Sequence, residues 1–402
     1  MAFGTFGIYI HIPYCLQICP YCDFTKYRRD MIMPPEEYTK LLLEEIRQRA
    51  PFVPKSEVNT VYFGGGTPSL FEPQLILSVL DELANVGFRP ARDAEITIEI
   101  DPTTVDEAKL DAYLKMGINR FSVGAQTFND RLLKTAGRKH VSSDTVALLT
   151  LLKSRGVNYS FDLLFALPTQ TLDELRADVS RALEFNPSHL SAYCLTVPEG
   201  HKLSYHRAPD EEQTEMFALI ERELASAGIY RYEISNYARP GAESRHNLLY
   251  WTDQAYWGLG LSSHSYFPQG FSPEIETRTP WGARFWNVRA LKDYGRQIEQ
   301  GSANTSFLAN LPEEQIEILR AHQALTDYCH TSLRLTRGLD KNALRLKFGA
   351  PTASQVAGIL DRLANDGFLD RTPNGWTLSD RGRLVANLIF EKLTFLENEV
   401  AI

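Results

Sequence analysis

Residues 8–24 read IYIHIPYCLQICPYCDF: a short run rich in isoleucine and tyrosine, Ile8-Tyr9-Ile10-His11-Ile12, followed at once by Cys15, Cys19 and Cys22 in CxxxCxxC spacing. The run predicts a strand over 8–12, so the cysteines occupy the loop at its C-terminal end. Thiolates gathered this closely can converge on one soft metal centre, and three of them leave one iron of a four-iron cluster without a protein ligand. Structural zinc takes four ligands, usually as two CxxC-type pairs. Here the other cysteines, Cys194 and Cys329, stand alone, and His11 is the only histidine near the loop. Five cysteines in 402 residues, with no signal-peptide pattern, point to a reducing compartment rather than a disulfide framework.

Working outward, strand-like segments at 8–12, 60–64, 95–100, 120–124, 158–164 and 189–195 alternate with segments of helical period. The helical segments span 36–49, 74–86, 105–116, 144–154, 172–183 and 211–227. Gly87, Gly117, Gly156 and Gly228 follow four of these helices, where a left-handed residue ends the last turn. Six βα units with right-handed crossovers predict an α/β fold whose parallel sheet curls into a partial (β/α)6 barrel. A flat, doubly wound sheet would leave the same signature.

In parallel α/β sheets, ligands bind at the C-terminal ends of the strands. Gly64-Gly65-Gly66-Thr67-Pro68 follows the second strand, and a glycine run there lets backbone approach a ligand closely. Glu99 and Asp101 close the third strand, Gln126 follows the fourth, Arg138 lies twelve residues on, and Asp162 sits in the fifth. Each one alone is more often a helix cap or loop bond. Their recurrence on successive strands, beside a cysteine loop, marks a shared pocket.

A hydrophobic fraction of 44% with 23% charged residues suits one large and one small domain. The net charge of −8 argues against non-specific nucleic-acid binding. No apolar run approaches membrane-spanning length, so a cytoplasmic protein is expected, with peripheral membrane contact left open. Three regions are expected: 1–230, the barrel; 231–305, an aromatic-rich connection; and 306–402, a smaller domain. The middle region holds His246-Asn247-Leu248-Leu249-Tyr250-Trp251 and four of the five tryptophans, Trp251, Trp257, Trp281 and Trp286. Flat apolar rings suit a porphyrin face and imidazole is a common axial ligand, although aromatic clusters are usually core.

The last region shows helical patterns at 312–324, 341–348 and 353–364, then an Asn374-Gly375 turn between two short strands. That is a winged-helix outline. DNA recognition is disfavoured by 11 Lys and Arg against 12 Asp and Glu from Leu311 onward, and by one Arg against two Asp over 354–366. The wing is expected to pack beside the barrel mouth or to make protein contacts.

CxxxCxxC with Tyr21 before its last cysteine, followed by GGGTP, resembles the radical S-adenosylmethionine (SAM) superfamily. In that family the methionine end of the cofactor chelates the open iron, and the reduced cluster cleaves it to a 5′-deoxyadenosyl radical. The phrases IYIHIPYC, CDF, YFGGGTPSLF, EIDP, VGAQTF, FDLLFALP and RHNLLYW are similar to the branch of oxygen-independent coproporphyrinogen III oxidase (HemN). Within it, HNxxYW most resembles the HemW-type haem chaperones. The resemblance implies the barrel rather than the flat sheet, a 4Fe-4S cluster on Cys15, Cys19 and Cys22, and SAM against Tyr9, Gly65, Gly66, Thr67, Glu99, Gln126, Arg138 and Asp162. It implies haem as cargo near His246, Asn247, Tyr250 and Trp251, with His246 a candidate axial ligand. Acceptor haemoproteins are the implied partners, and a homodimer is left open.

Two departures separate the chain from the oxidase. Phe24 stands where the oxidase has a fourth cysteine, and Cys15 arrives without the oxidase's long preceding arm. A haem chaperone is therefore expected, with propionate decarboxylation as the alternative. A third reading, a winged-helix protein whose cluster only senses redox state, is disfavoured by the acidic balance.

Overall fold

The computed structural model describes residues 5–271, 281–301 and 312–400. β1 (Phe6–Ile12), β2 (Val58–Gly65), β3 (Pro90–Ile100), β4 (Arg120–Gln126), β5 (Asn158–Phe165) and β6 (His189–Cys194) run parallel, each beside the next. Between and after them come α1 (Pro35–Arg49), α2 (Pro73–Asn85), α3 (Glu107–Lys115), α4 (Ser142–Ser154), α5 (Leu172–Glu184) and α6 (Asp210–Ser226). Local chemistry fixes several of these boundaries. Asp106 caps α3 by accepting from Lys109 N, and Thr171 opens α5 in a capping box with Glu174. Gly87, at φ 93°, ends the turn after α2 in a conformation that favours glycine.

The two faces of the sheet have opposite chemistry. Ile8, Val61, Phe63, Ile98, Phe121, Val123, Phe161 and Leu190 join one apolar core with Leu42, Leu83, Leu110, Leu149, Val179 and Leu219 of the helices. The alternate residues are polar: Tyr9, His11, Thr60, Tyr62, Thr97, Glu99, Arg120, Ser122, Ser160, Asp162, His189 and Ser191. With a period of two, these share the inner face. The curled sheet therefore encloses a polar lumen instead of a packed interior.

Beyond α6 the chain extends both edges. β7 (Tyr230–Arg231) and β8 (Asn236–Ala238) add antiparallel strands beyond β6. After α7 (Arg245–Trp251), β9 (Ala255–Leu259) pairs parallel with β1. β10 (His264–Phe267) and β11 (Ala283–Trp286) follow antiparallel; after α8 (Leu291–Gln300), β12 (Ile316–Ile318) pairs with β11. The order is β12-β11-β10-β9-β1-β2-β3-β4-β5-β6-β8-β7. The aromatic-rich stretch is thus sheet edge and plug rather than a connection, and its tryptophans are dispersed. Trp257 is fully buried in the main core, Trp281 stacks on Phe348 and Trp286 stacks on His264.

The expected helix at 312–324 is corrected. Ile316 and Ile318 alternate with Glu317, which pairs with Arg284 across the strand at 2.8 Å, and the helix α9 (Ala321–Arg334) begins only afterwards. α10 (Lys341–Asn365) bends at Gly349, at φ 82°, and a small sheet of Leu339–Asp340, Gly375–Leu378 and Leu369–Arg371 completes the winged outline. This C-terminal part packs at the end of the barrel where the strands begin, not beside the mouth. Thr336 N donates to Tyr232 O at 3.0 Å, Arg383 pairs with Glu221 at 2.9 Å, and the Arg334 guanidinium lies 4.3 Å from the Trp251 ring centre. Among the described residues, no helix is long and apolar enough to cross a membrane.

Candidate functional site

The cysteine loop leaves β1 at the mouth of the lumen and is fastened to β2 by backbone. Gly66 N donates to Ile12 O at 2.8 Å and Thr67 N to Tyr14 O at 2.7 Å. A Cβ on Gly66 would stand 2.6 Å from Tyr14 O, so the approach requires glycine. Gln17 Nε2 donates to Gly137 O at 2.6 Å, drawing the loop towards the chain after β4. His11 helps at the far side: Nε2 meets Thr25 O at 2.7 Å and Nδ1 meets the Tyr9 hydroxyl at 3.1 Å. With both ring nitrogens occupied, His11 is a brace.

All five cysteines are unpaired. Cys15 is buried, and burial pushes its thiol up to about 11 despite the Thr67 hydroxyl 3.8 Å from its sulfur. Binding a soft metal there would release that proton. Arg138 Nη1 lies 3.8 Å from Cys19 Sγ, and Arg138 Nη2 pairs with Asp101 Oδ2 at 2.7 Å and with Gly124 O at 3.2 Å. Burial opposes ionisation of Asp101, but His140, Arg138 and the Thr103 donors overcome it and hold the carboxyl well below its usual range. Cys15, Cys19, Cys22, Gly65, Gly66, Thr67 and Arg138 share one small cavity of about 70 Å³. As placed, no group of three His, Cys, Asp or Glu among the described residues is drawn together to hold a single metal ion.

A larger cavity of about 380 Å³ runs down the lumen from Tyr21, Cys22 and Phe24 to Ser244 and Asn247. Glu99, Gln126 and Asp162 line its wall, as expected for a shared pocket. Glu99 accepts from the Tyr62 hydroxyl at 2.9 Å and from Gly65 N at 3.1 Å. Burial nevertheless pushes its carboxyl up to about 7, and burial pushes Asp162 up to about 6. Gln126 takes φ 66°, where the register between β4 and β5 shifts. A non-glycine residue held in that region beside a cavity is strain of the kind found at binding sites. Tyr9 lines neither cavity; its ring lies 6.1 Å from that of Tyr62 and supports it.

The HNxxYW residues divide. Asn247 reaches the lumen. His246 does not offer a free nitrogen: Nδ1 meets the Thr60 hydroxyl at 2.8 Å, Nε2 meets the Tyr250 hydroxyl at 2.8 Å, and the ring stacks 5.0 Å from Tyr62. Burial pulls it down to about 3, so the ring is neutral and, as placed, both its nitrogens are engaged within the barrel floor. Tyr250 packs edge-on against Tyr256, and Trp251 faces Arg334. α7 plugs the barrel floor against Gly7 of β1, where a Cβ would stand 2.3 Å from Leu249 Cδ1.

The sequence reading missed the lower wall. Thr97, Arg120, Ser122, Ser160, His189 and Ser191 also line the large cavity. The signal was present as polar residues two apart, Glu95-Thr97-Glu99, Arg120-Ser122, Ser160-Asp162 and His189-Ser191, on strands whose other face is apolar.

The radical SAM superfamily model matches residues 9–182, and the HemN C-terminal domain model matches 331–385. The chain is 32% identical to the haem chaperone HemW of Bacillus subtilis, covering 95% of this chain and 97% of that protein. It is 35% identical to HemW of Haemophilus influenzae, covering 96% and 97%, and 32% identical to that of Escherichia coli, again covering 96% and 97%. In fold it is similar to the coproporphyrinogen III oxidase HemN of E. coli, with a TM-score of 0.79 at 23% identity over 97% of this chain and 90% of that one.

Proposed function

Because the chain belongs to the haem chaperone HemW family of the radical SAM superfamily, we propose that it binds haem and passes it to acceptor haemoproteins. The observation that carries this reading is the similarity over nearly the whole length of both partners. The likeness to the oxidase is one of fold.

The donor set at the mouth fits a 4Fe-4S cluster: three thiols on one loop, opening on a common cavity, with a cation and a hydroxyl beside the sulfurs. Cys15, Cys19 and Cys22 would hold it. When bound, such a cluster supplies one-electron chemistry and one iron open to an incoming ligand. The chain's own groups do the rest. The Arg138 guanidinium, itself balanced by Asp101, places a cation beside the sulfur of Cys19. Gly65, Gly66 and Thr67 present backbone to the amino-acid end of SAM. Glu99, Gln126 and Asp162 accept from its ammonium or ribose hydroxyls, and Arg138 meets its carboxylate. Tyr9 stands beside Tyr62, its register partner on β2.

Haem would enter the same cavity past the exposed Phe24 ring and Tyr193, which flank its entrance, and along Leu164 of the wall. Asn247 takes part from the floor, while His246 and Tyr250 hold that floor and Trp251 ties it to the C-terminal domain. A cytoplasmic setting agrees with five unpaired cysteines.

The test is an anaerobic haem titration of cluster-reconstituted protein, followed by assay of the same sample with coproporphyrinogen III, SAM and reductant. Saturable haem binding without turnover is expected. Turnover without stable haem binding would replace the chaperone reading by the oxidase one.

A further inference from the structure

The lower half of the lumen holds polar atoms that have no partner among the described residues. Arg120 is 2% exposed. Its Nη1 donates to Ala242 O at 3.3 Å and lies 3.6 Å from Glu95, while Nη2 has no partner among the described residues. Glu95 is itself engaged by two backbone amides at the start of α7, Arg245 N at 3.2 Å and His246 N at 3.0 Å, so its charge is largely committed elsewhere. His189, also 2% exposed, uses Nε2 on the Tyr232 hydroxyl at 2.9 Å and leaves Nδ1 without a partner. The hydroxyl of Thr97, fully buried, is unpartnered too. All three residues line the same cavity.

A buried donor left unmatched costs about 1–3 kcal/mol, and more when it is charged. Three beside one lumen leave a set of donors for water or a bound ligand to meet. Their chemistry defines it: a guanidinium nitrogen, a hydroxyl and, with Nε2 accepting from Tyr232, an imidazole N–H form a donor set for a planar anion. Burial lowers the pKa of His189, with the Arg120 charge acting in the same direction, so the ring donates as a neutral group. Among the described residues Arg120 is the only lysine or arginine on this cavity's wall, and the acidic pair Glu99 and Asp162 stands nearer the mouth.

We infer that the lower lumen is a carboxylate subsite, in which Arg120, His189 and Thr97 receive the carboxylate of a bound molecule. Resting on the function proposed above, that carboxylate is a haem propionate; a free short-chain carboxylate offers the same chemistry. The cavity joins this subsite to the mouth, so a ligand can lie in the upper lumen and extend its acid group downward.

The experiment titrates haem and haem dimethyl ester into cluster-reconstituted protein without added SAM, for the native, Arg120→Gln and Thr97→Val chains. Thr97→Val keeps the side-chain volume and removes a hydroxyl that no protein group uses, so it guards against misfolding in Arg120→Gln. The ester is expected to bind the native chain roughly tenfold more weakly than haem, as for loss of a charge-assisted bond. Arg120→Gln should lower haem binding to the level of the ester and leave the ester unchanged, and Thr97→Val should weaken haem by a smaller factor. In parallel, propionate anion should raise the Tm of the native chain but not of Arg120→Gln. Equal binding of haem and ester without stabilisation by propionate overturns the subsite and leaves the haem reading intact. Discrimination between haem and ester that neither substitution changes overturns it as well. Stabilisation by propionate without any haem binding keeps the subsite for a free carboxylate and sinks the haem reading.

Discussion

The two ends of the lumen satisfy their charges in opposite ways. At the mouth, the Arg138 cation lies between a thiol and the Asp101 carboxylate, and the Glu99 carboxylate already accepts from Tyr62 and Gly65. At the floor, Arg120, His189 and Thr97 keep donors in reserve. The mouth balances its charges within the protein, whereas the floor leaves donors that no described residue uses. Similar polar residues on neighbouring strands thus serve different ends, according to whether loops or only strands surround them.

The comparison breaks first at the mouth. Cys19→Ala should abolish the visible charge-transfer absorbance of the reconstituted cluster; full retention of iron and sulfide would remove Cys19 from the ligand set. Gly66→Ala should come next. Its Cβ meets Tyr14 backbone, which cannot give as a flexible side chain could. A loss of about 2–3 kcal/mol and poor cluster loading are expected, checked by urea unfolding and iron content. Wild-type values for both would show that the loop is not held through Gly66.

At the floor, His246→Ala removes a buried ring with two hydrogen bonds and strands the Thr60 and Tyr250 hydroxyls. A cost of roughly 3 kcal/mol is expected, with the haem Soret band unmoved because the ring is structural. A Soret shift at unchanged stability would restore His246 as a ligand.

The smallest effect is one of pH. Glu99 is raised from its ordinary value to about 7, so between about pH 4.5 and 7 the folded chain binds more protons than the unfolded one. Stability from this group is present below that window and is lost as pH rises through it. Asp162 acts with the same sign up to about pH 6. Glu99→Gln should flatten this fall in urea titrations of the cluster-free protein; an unchanged slope would mean that Glu99 is ionised across that window.

Much of this was legible in the sequence because it is local. The strand before Cys15, the alternation of strands and helices, and the glycine run each rest on neighbours within a few residues. Glu99, Gln126 and Asp162 were readable as strand-end residues and do meet in one cavity. The partners of His246 were not legible because Thr60 and Tyr62 are almost two hundred residues away and only the parallel pairing of β1 and β2 brings them beneath α7. Tyr9 was carried to the site by resemblance; its ring sits beside Tyr62 on the neighbouring strand and lines neither cavity. The edge strands β9 to β12 escaped notice because short, aromatic-rich segments look alike whether they form core, edge or cargo surface.

The plug at Gly7 has a kinetic consequence. A lumen closed at its base by α7 loads from the mouth, and whatever lies deepest must enter first and leave last. Cargo reaching for Arg120 and a nucleoside cofactor held near Glu99 would therefore load in sequence: SAM given before haem should slow haem entry, while SAM given afterwards should slow its escape. Order of addition, more than affinity, would then decide when the cargo is handed on.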